Sequence, residues 1–537
     1  MPRTITAPEV FSKSEQQTLI KYFGNIDSTV FVLINLPEVV KGALFARYSR
    51  SAKSVRRLFL DEFVKQVSDN GPPNQAVGTE RAEKLYARVL SDYGDDSVAQ
   101  LGGAHIACEG VSNVLTKILE RGRLMAYLEQ STRYVPYTDR PQGRWKYIIP
   151  SELTEKRIRK DFTDRLNRAF DTYSNWISPI QQHYRNLYPK SANDTEAVYN
   201  AAIRAKALDA LRGLLPAATQ SNVGIYGSGQ AYESLLLHLR AQPIAEARNI
   251  GALMLPELRK VIPAFLSRVD REDRGVRWTN YLAERRTETE NLASELLDKT
   301  ETTSSPEVVL TDFDPEGEVK VVAAALYSAS QLPKNQLLSL ARTMSVEERI
   351  RVLQAYVGKR DNRRHKPGRA FERATYCFDV LSDYGAFRDL QRHRMLSIDW
   401  QRLTASHGYT QPVVIEEVGA LDDWQRVMDE SAELHQLLCN EHSLELAQYA
   451  VSMAYRIRFY LQMNAREAMH VIELRTTPQG HPAYRRVCQS MHRLIANQAG
   501  HKAIAEMMVF ADHSVVELER LEAERATEQR RKQTRSN

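Results

Sequence analysis

Residues 121–134, RGRLMAYLEQSTRY, and residues 392–405, RHRMLSIDWQRLTA, resemble two damaged copies of one site. Each begins with two arginines separated by one residue, and a polar loop begins eight residues after the first arginine. The first copy keeps the loop but has Gly122 where the second copy has His393. The second copy keeps the histidine but has replaced two loop residues, with Arg402 and Thr404 in place of Ser131 and Arg133. The losses are complementary, so a site assembled from both halves would be complete.

Other matches between the halves follow in the same order along the chain. They pair Arg47-Tyr48-Ser49 with Leu326-Tyr327-Ser328, and Leu239-Arg240 with Leu474-Arg475. The hexapeptide VLSDYG occurs at residues 89–94 and again at residues 380–385, but it is out of register with the arginine pairs and we interpret it as chance. The ordered series indicates a tandem duplication.

Length and composition favour a two-domain globular protein. The 537 residues exceed the size at which one core keeps growing, and 43% of them are hydrophobic. We predict an α+β, helix-rich fold of two tandem domains, each with a small sheet flanked by helices. The predicted divisions are a first domain at residues 1–299, a linker at 300–307, a second domain at 308–516 and a charged tail at 517–537. Predicted elements of the second half include a strand at residues 413–415 and a helix at residues 444–469.

The same composition excludes several classes of function. The net charge of +6 is small beside 73 basic and 67 acidic residues, which argues against a non-specific nucleic-acid binder. No apolar run is long enough to span a bilayer, and the amino terminus shows no secretory signal. The four cysteines form no Cys-x-x-Cys pair, so we expect a reducing, cytoplasmic location and no structural metal.

Three clusters could carry chemistry, and each has a plain structural alternative. Arg392-His393-Arg394 suits a diphosphate or an electron-rich ring, or is a solvated basic cluster. The loop at residues 129–133 can wrap a phosphate, or is a polar loop with an ion pair between Glu129 and Arg133. A predicted helix carries Arg466, His470 and Arg475. These side chains need counter-charge, which a bound anion or neighbouring glutamates would supply. No metalloprotease or serine-hydrolase motif is present.

These motifs together resemble the flavin-dependent thymidylate synthases, the ThyX family. Members carry Arg-His-Arg, then seven residues and a serine, usually within Glu-Gln-Ser-x-Arg-Tyr, and later Asn-x-Arg and Leu-Arg. The resemblance implies reductive methylation of dUMP with FAD as cofactor and with NADPH and methylenetetrahydrofolate as co-substrates, in a homotetramer with sites between subunits. A homodimer of this tandem chain would imitate that tetramer.

The resemblance also assigns roles to residues of this chain. Cofactor-binding residues would be Glu372, Arg392, His393, Arg394, Asn464, Arg466 and His470. Substrate-binding residues would be Glu129, Gln130, Ser131, Thr132, Arg133, Arg212 and Arg392. Arg475 would be catalytic, stabilising negative charge on the pyrimidine.

The departures from the family pattern define the alternatives. In the first half, the flavin-side positions are occupied by Gly122, Gly229 and Ala231. In the second half, Gln448 stands near the position that corresponds to Arg212. We therefore expect one composite site per chain, and we expect the mirror-image site, made of the opposite motif copies, to be inactive. Asp389 replaces a glutamine that family members use on the nucleotide, and an acid there would repel a phosphate. His365 is the candidate for a folate-side histidine, but two extra residues separate it from Glu372. These departures leave two alternatives open: a different methyl acceptor, such as another pyrimidine nucleotide, or loss of the folate reaction. A non-catalytic flavin or nucleotide sensor or scaffold, and a purely structural helical protein, are the alternatives from other classes.

Overall fold

The computed structural model describes residues 10–27, 31–48, 53–64, 100–192, 194–297, 300 and 304–515, and scattered positions between 518 and 529. The chain divides into two compact units. Unit 1 comprises Met1–Glu109, Gly122–Glu129 and Asn222–Thr300, and unit 2 comprises Gly110–Arg121, Gln130–Ser221 and Glu301–Asn537. The predicted first domain therefore contributes residues to both units. The predicted domain boundaries at residues 299, 307 and 516 describe the two sequence repeats, and they stay a prediction.

Helices dominate the part of the chain that the structure describes, and the α+β, helix-rich fold class is confirmed. In the first half the helices are α1 Lys13–Leu19, α2 Glu38–Tyr48, α3 Val55–Leu58, α4 Asn113–Leu119, α5 Lys156–Leu187, α6 Glu196–Leu211, α7 Gly229–Arg240, α8 Ala245–Arg259 and α9 Arg277–Leu297. In the second half they are α10 Gly317–Tyr327, α11 Lys334–Thr343, α12 Val346–Val357, α13 Tyr384–Leu390, α14 Val413–Glu417, α15 Leu421–Glu441, α16 Leu444–Ala447, α17 Ala465–Arg475, α18 Pro482–Asn497 and α19 Lys502–Glu506.

Two small sheets accompany these helices. One has three strands in the order β1-β3-β2, formed by Gly103–Ser112, Gln220–Ser228 and Met125–Glu129. The other lies within unit 2 and has four strands in the order β4-β5-β7-β6, formed by Val308–Phe313, Thr375–Asp383, Arg456–Asn464 and Ser397–Trp400.

The four-stranded sheet positions the functional residues of unit 2. Its central strands β5 and β7 are antiparallel, with Thr375 opposite Asn464 and Asp383 opposite Arg456. Each of these strands runs directly into a helix that its last residue caps. Asp383 accepts from the Ala386 amide at 2.9 Å and Asn464 from the Glu467 amide at 2.9 Å. These caps satisfy amides that the first helical turn leaves unpaired, and so fix the directions of α13 and α17.

Two predicted elements were wrong. Residues 413–415 begin helix α14, since Val414 and Ile415 are buried side by side while Val413 is 73% exposed, which fits one helical face and not a strand. Residues 444–469 contain strand β7, where buried Ile457 and Phe459 alternate with more exposed residues. The short apolar run Val308-Val309-Leu310 also predicts a strand, and this prediction is confirmed, since the run begins β4.

Two other sequence features can be compared with the structure. Among the described residues, no helix combines the length and the hydropathy that crossing a bilayer requires. All four cysteines are free thiols.

Candidate functional site

The polar loop predicted from residues 129–133 forms a compact turn in unit 2. The Ser131 Oγ accepts from the Arg133 amide at 3.2 Å, and the Ser131 carbonyl accepts from the amides of Tyr134 and Val135 at 3.3 and 3.1 Å. Such local bonding fixes the turn independently of the sheets. The Ser131 hydroxyl proton has no acceptor among the residues that the structure describes, so it is available to a ligand.

The other loop residues differ in their surroundings. Thr132 is buried, and its hydroxyl lies 3.5 Å from Arg388 Nη1. Gln130 is half-buried. Glu129 ends β2 in unit 1, where it lies opposite Val223.

Arg133 is held almost completely by protein groups. Its Nε and Nη2 donate to the two carboxylate oxygens of Asp209 at 2.7 and 2.6 Å, and its Nη1 donates to the Tyr484 hydroxyl at 2.9 Å. A bidentate guanidinium-carboxylate pair of this kind is strong and directional. Arg133 therefore anchors the loop, and its positive charge, already matched by Asp209, contributes little net field to a ligand.

Arg212 is in the opposite situation, because its buried guanidinium makes no hydrogen bond within the described part of the chain. It follows helix α6, its side chain is 4% exposed, and Nη1 lies 3.5 Å from Asp389 Oδ2. The guanidinium lies flat against Gly385, where an added Cβ would come within 2.9 Å of its carbon. A buried cation with unsatisfied donors is costly unless an anion joins it, so this group is suited to an oxyanion ligand.

Asp389 lies at the centre of a group of arginines. Burial would raise the pKa of its carboxyl, but the surrounding guanidinium groups hold that pKa well below its ordinary value. They belong to Arg475, Arg212, Arg392 and Arg133. Of these, Arg133 is paired with Asp209 and Arg392 lies 3.9 Å from Glu120, which leaves Arg212 and Arg475 to share Asp389. Two cations that share one carboxylate favour an anionic ligand such as a phosphate monoester.

Arg475 links this arginine group to the histidine of Arg-His-Arg. Its Nε donates to His393 Nε2 at 2.9 Å, and its Nη2 donates to the Asp389 carbonyl. Burial and the adjacent Arg475 charge keep the pKa of His393 well below its usual range, so the ring is neutral. Since Nε2 accepts, the ring proton is on Nδ1, which lies 3.7 Å from a Glu467 oxygen.

Three further residues of this site were not predicted from the sequence: Asp209, Tyr484 and His481. Asp209 lies one helical turn before Arg212, and this spacing was the available signal. His481 caps helix α18 by accepting from the Ala483 amide at 3.2 Å, and burial lowers its pKa to about 3. Tyr484 is buried, and the guanidinium carbons of Arg133 and Arg475 lie 5.8 and 5.4 Å from its ring centre.

Most residues predicted to hold the flavin are grouped at the start of α17. Arg466 Nε donates to the Pro367 carbonyl at 2.9 Å, and Arg466 Nη1 lies 3.7 Å from Glu372. His470 is half-buried and lies 5.5 Å from the His393 ring, centre to centre. Burial lowers the pKa of His470 to about 4, and its ring nitrogens make no hydrogen bond to any group in the described ranges.

The other predicted residues are more exposed. Arg394 is exposed, and Arg392 is half-buried with its Nε 3.9 Å from Glu120. His365 also lies on an exposed turn, where its ring accepts from the Asp361 amide at 3.3 Å. The folate-side role of His365 stays a prediction.

A metal ion is an alternative occupant of the same region. His393, Glu467 and His470 each bring one potential ligand atom within 4.8 Å of the others. However, the Arg475 hydrogen bond uses the lone pair of His393 Nε2 and leaves the proton on Nδ1, so this histidine offers no lone pair in the observed arrangement. The permanent charge of Arg475 also opposes a cation there.

In unit 1, side chains closely surround the glycines at two of the positions expected for the mirror-image site. A Cβ added to Gly122 would lie 2.6 Å from the Tyr127 hydroxyl and 3.1 Å from the Met125 sulfur. A Cβ added to Gly229 would lie 2.5 Å from the Phe265 Cβ. A histidine at position 122 and an asparagine at position 229 would therefore not fit without repacking.

In the second loop copy, which lies in unit 2, the polar side chains contact neighbouring protein groups. Arg402, which replaces the serine, pairs with Glu445 at 2.8 Å. Gln448, near the counterpart position of Arg212, accepts from the Leu403 amide at 3.1 Å. Neither side chain offers a buried charge to an anion.

Comparisons with known proteins agree with the duplicated motifs. The family model described as thymidylate synthase complementing protein (Thy1) matches residues 43–264 and again residues 308–500, which is consistent with a tandem duplication. A UPF0159 protein of Chlamydia pneumoniae is 37% identical over 523 residues, covering 96% of this chain and 98% of that protein. A UPF0159 protein of Thermoplasma acidophilum is 31% identical over 510 residues, covering 90% of this chain and 97% of that protein.

More distant similarities carry functional names. A flavin-dependent thymidylate synthase of Clostridium tetani is 27% identical over 189 residues, covering 34% of this chain and 70% of that enzyme. Among solved structures, a UMP/dUMP methylase, PolB, of Streptomyces cacaoi bound with 5-Br dUMP aligns with a TM-score of 0.30 at 19% identity, covering 38% of this chain and 96% of its own. The family match covers most of both halves, and the chain belongs to the thymidylate synthase complementing protein (Thy1, or ThyX) family.

Proposed function

We propose that this chain is a flavin-dependent thymidylate synthase that methylates dUMP to dTMP, with methylenetetrahydrofolate and NADPH as co-substrates, through one composite site per chain. The observation that carries the proposal is the buried guanidinium of Arg212, whose Nη2 has no hydrogen-bond partner in the described structure and which shares the Asp389 carboxylate with Arg475. Ser131, Arg133 and Arg212 come from the first repeat, whereas Arg392 and Arg475 come from the second. The complementary losses in the sequence are thus matched by side chains that meet in one unit.

The proposed nucleotide subsite combines one fixed and one unsatisfied cation. Arg133 holds the loop in place through Asp209, so that the Ser131 hydroxyl is presented at a constant position. Arg212 then supplies the guanidinium donors that lack acceptors in the described structure. A dianionic phosphate would satisfy those donors and add negative charge beside Arg212 and Arg475. We expect the phosphate of dUMP at Ser131 and Arg212.

Arg475 is placed to act on the pyrimidine. Two of its nitrogens are fixed by His393 and by the Asp389 carbonyl, which holds the guanidinium plane in one orientation. Its Nη1 makes only an ion contact at 3.8 Å to Asp389. A fixed cation with a remaining donor is suited to stabilise negative charge that develops on the base.

The residues near α17 fit a flavin dinucleotide. Arg392, Arg394 and Arg466 would provide cations for its diphosphate, and the neutral ring of His470, without hydrogen bonds in the described structure, would meet a polar edge of the ligand. Asn464 and Glu372 position Arg466 and the start of the helix. When bound, the flavin would supply the hydride that the methyl transfer requires, while the protein binds, orients and balances charge.

Flavin stoichiometry and product formation test the proposal together. The purified chain, reconstituted with FAD, should bind one flavin per chain and should form dTMP from dUMP, NADPH and methylenetetrahydrofolate. Two tightly bound flavins per chain would refute the single composite site. Saturable binding of dUMP without any product would instead favour the non-catalytic sensor, and a colourless protein that does not bind dUMP would favour a structural role.

A further inference from the structure

The Asp389 carboxylate has unused hydrogen-bonding capacity at the centre of the site. Its oxygens lie 3.5 Å from Arg212 Nη1 and 3.8 Å from Arg475 Nη1, and within the described ranges the carboxylate accepts no hydrogen bond. Its side chain is 17% exposed, so solvent reaches it only in part. Asp209 in the same group accepts two short hydrogen bonds from Arg133. The Asp389 oxygens therefore still have room to accept hydrogen bonds, unlike those of Asp209, which serves as a structural counter-ion.

The charge state of Asp389 limits what it can recognise. The surrounding guanidinium groups keep its pKa far below neutrality, so it is ionised at every working pH. An ionised carboxylate only accepts hydrogen bonds, whereas the glutamine of the family pattern can also donate. A ligand atom that meets Asp389 must therefore carry a proton to donate, and a carbonyl oxygen of a pyrimidine would not satisfy it.

The position of Asp389 indicates which part of a nucleotide it meets. One carboxylate oxygen faces Arg212, where the phosphate is proposed, and the other faces Arg475, where the base is proposed. In a nucleoside monophosphate the sugar links these two parts, and its hydroxyl groups are hydrogen-bond donors. A carboxylate is a common partner of ribose hydroxyls, because its two oxygens can accept from adjacent hydroxyls together.

We propose that Asp389 is a specificity-determining residue that accepts hydrogen bonds from the sugar hydroxyls, so that this site binds the ribonucleotide UMP more tightly than dUMP. The proposal rests on the proposed nucleotide site and names its preferred substrate class. The 2′-hydroxyl present in UMP and absent from dUMP provides the additional donor. A hydrogen bond to a charged group favours the ligand that makes it by about tenfold or more.

Calorimetric titration of the full-length protein with UMP, dUMP and inorganic phosphate tests this inference. We expect UMP to bind about tenfold more tightly than dUMP. In Asp389→Asn the preference should fall to about twofold or less, because an amide is a weaker acceptor, while phosphate still binds. The matched control is Asp399→Asn, which should keep the full preference for UMP. The Asp399 carboxylate belongs to the second motif copy, is 53% exposed and lies 3.5 Å from Arg121 of the first copy.

The possible outcomes separate the two proposals. Equal binding of the two nucleotides by the unmodified protein, or tighter binding of dUMP, overturns the role of Asp389 and leaves the nucleotide site intact. A preference for UMP that survives in Asp389→Asn also overturns it. Failure of both nucleotides to bind overturns the nucleotide site and this inference together. If the variant does not fold, equal binding of UMP and dUMP by the unmodified protein still overturns the inference.

Discussion

Replacing Arg212 with methionine should weaken nucleotide binding and stabilise the ligand-free protein at the same time. The buried guanidinium has Nη2 donors with no acceptor in the described structure, and such a group costs about 1–3 kcal/mol. The attraction of Asp389, 3.5 Å away, offsets part of this cost. Methionine keeps an unbranched side chain against Gly385. We therefore expect Arg212→Met to raise the free energy of unfolding of the ligand-free protein by about 1 kcal/mol.

The effect on ligand binding has the opposite sign. Charge-assisted hydrogen bonds to a phosphate contribute about 1.5–3 kcal/mol, so losing them should weaken dUMP binding by roughly 10- to 100-fold. Urea denaturation with and without dUMP measures both quantities. The control Arg402→Met removes a guanidinium that is 37% exposed and paired with Glu445, and it should change stability by at most about 0.5 kcal/mol and leave the dUMP effect intact. A destabilised Arg212→Met protein that is still stabilised by dUMP would refute the reasoning.

Three further perturbations have defined outcomes. Lowering the pH from 7 to 5 should lower the melting temperature. The pKa of His481 is about 3 in the folded protein and about 6.5 in the unfolded chain, so the unfolded chain takes up the proton first. This histidine alone should then lower the free energy of unfolding by about 2 kcal/mol, a loss that His481→Asn should reduce. Asp209→Asn should destabilise the fold by about 3 kcal/mol, because Arg133 would keep a buried charge without its carboxylate partner. It should also raise the KM for dUMP in steady-state assays, and an unchanged KM would contradict the role of Arg133 as the anchor of the loop. Gly229→Asn should lower the melting temperature without adding a second flavin, whereas Gly224→Ala, whose added Cβ meets nothing closer than 3.9 Å, should be nearly neutral.

The sequence was sufficient for the fold class and for the two repeated motifs, but not for local elements of the second half. Strand β7 was missed because its apolar residues lie inside a longer apolar stretch that also has helical spacing. The alternation of Ile457, Phe459 and Leu461 with polar neighbours was the available signal. At residues 413–415 three β-branched residues favoured a strand, and tertiary burial of Val414 and Ile415 on one face favoured the short helix instead.

In the candidate site, too, the motifs predict which residues take part, but tertiary contacts determine what each residue can bind. Arg133 and Arg212 were both predicted as phosphate ligands, because the ThyX resemblance gives this role to the arginine of the Ser-x-Arg loop and to an arginine four residues before a proline. Only the structure distinguishes them, since Asp209 saturates one guanidinium and the other has no hydrogen bond among the described residues. Asp209 and Tyr484 belong to no motif, and their contributions come from contacts between segments that are remote in sequence. Such contacts cannot be read from spacing along one segment.

The packing also explains why the two half-sites do not regain what they have lost. A Cβ added at Gly122 would meet Tyr127 and Met125, and one added at Gly229 would meet Phe265. A single reversion at either glycine would create overlap before it restored any ligand contact, so it would be destabilising as well as inactive. The first half can therefore recover a flavin site only through several coupled substitutions.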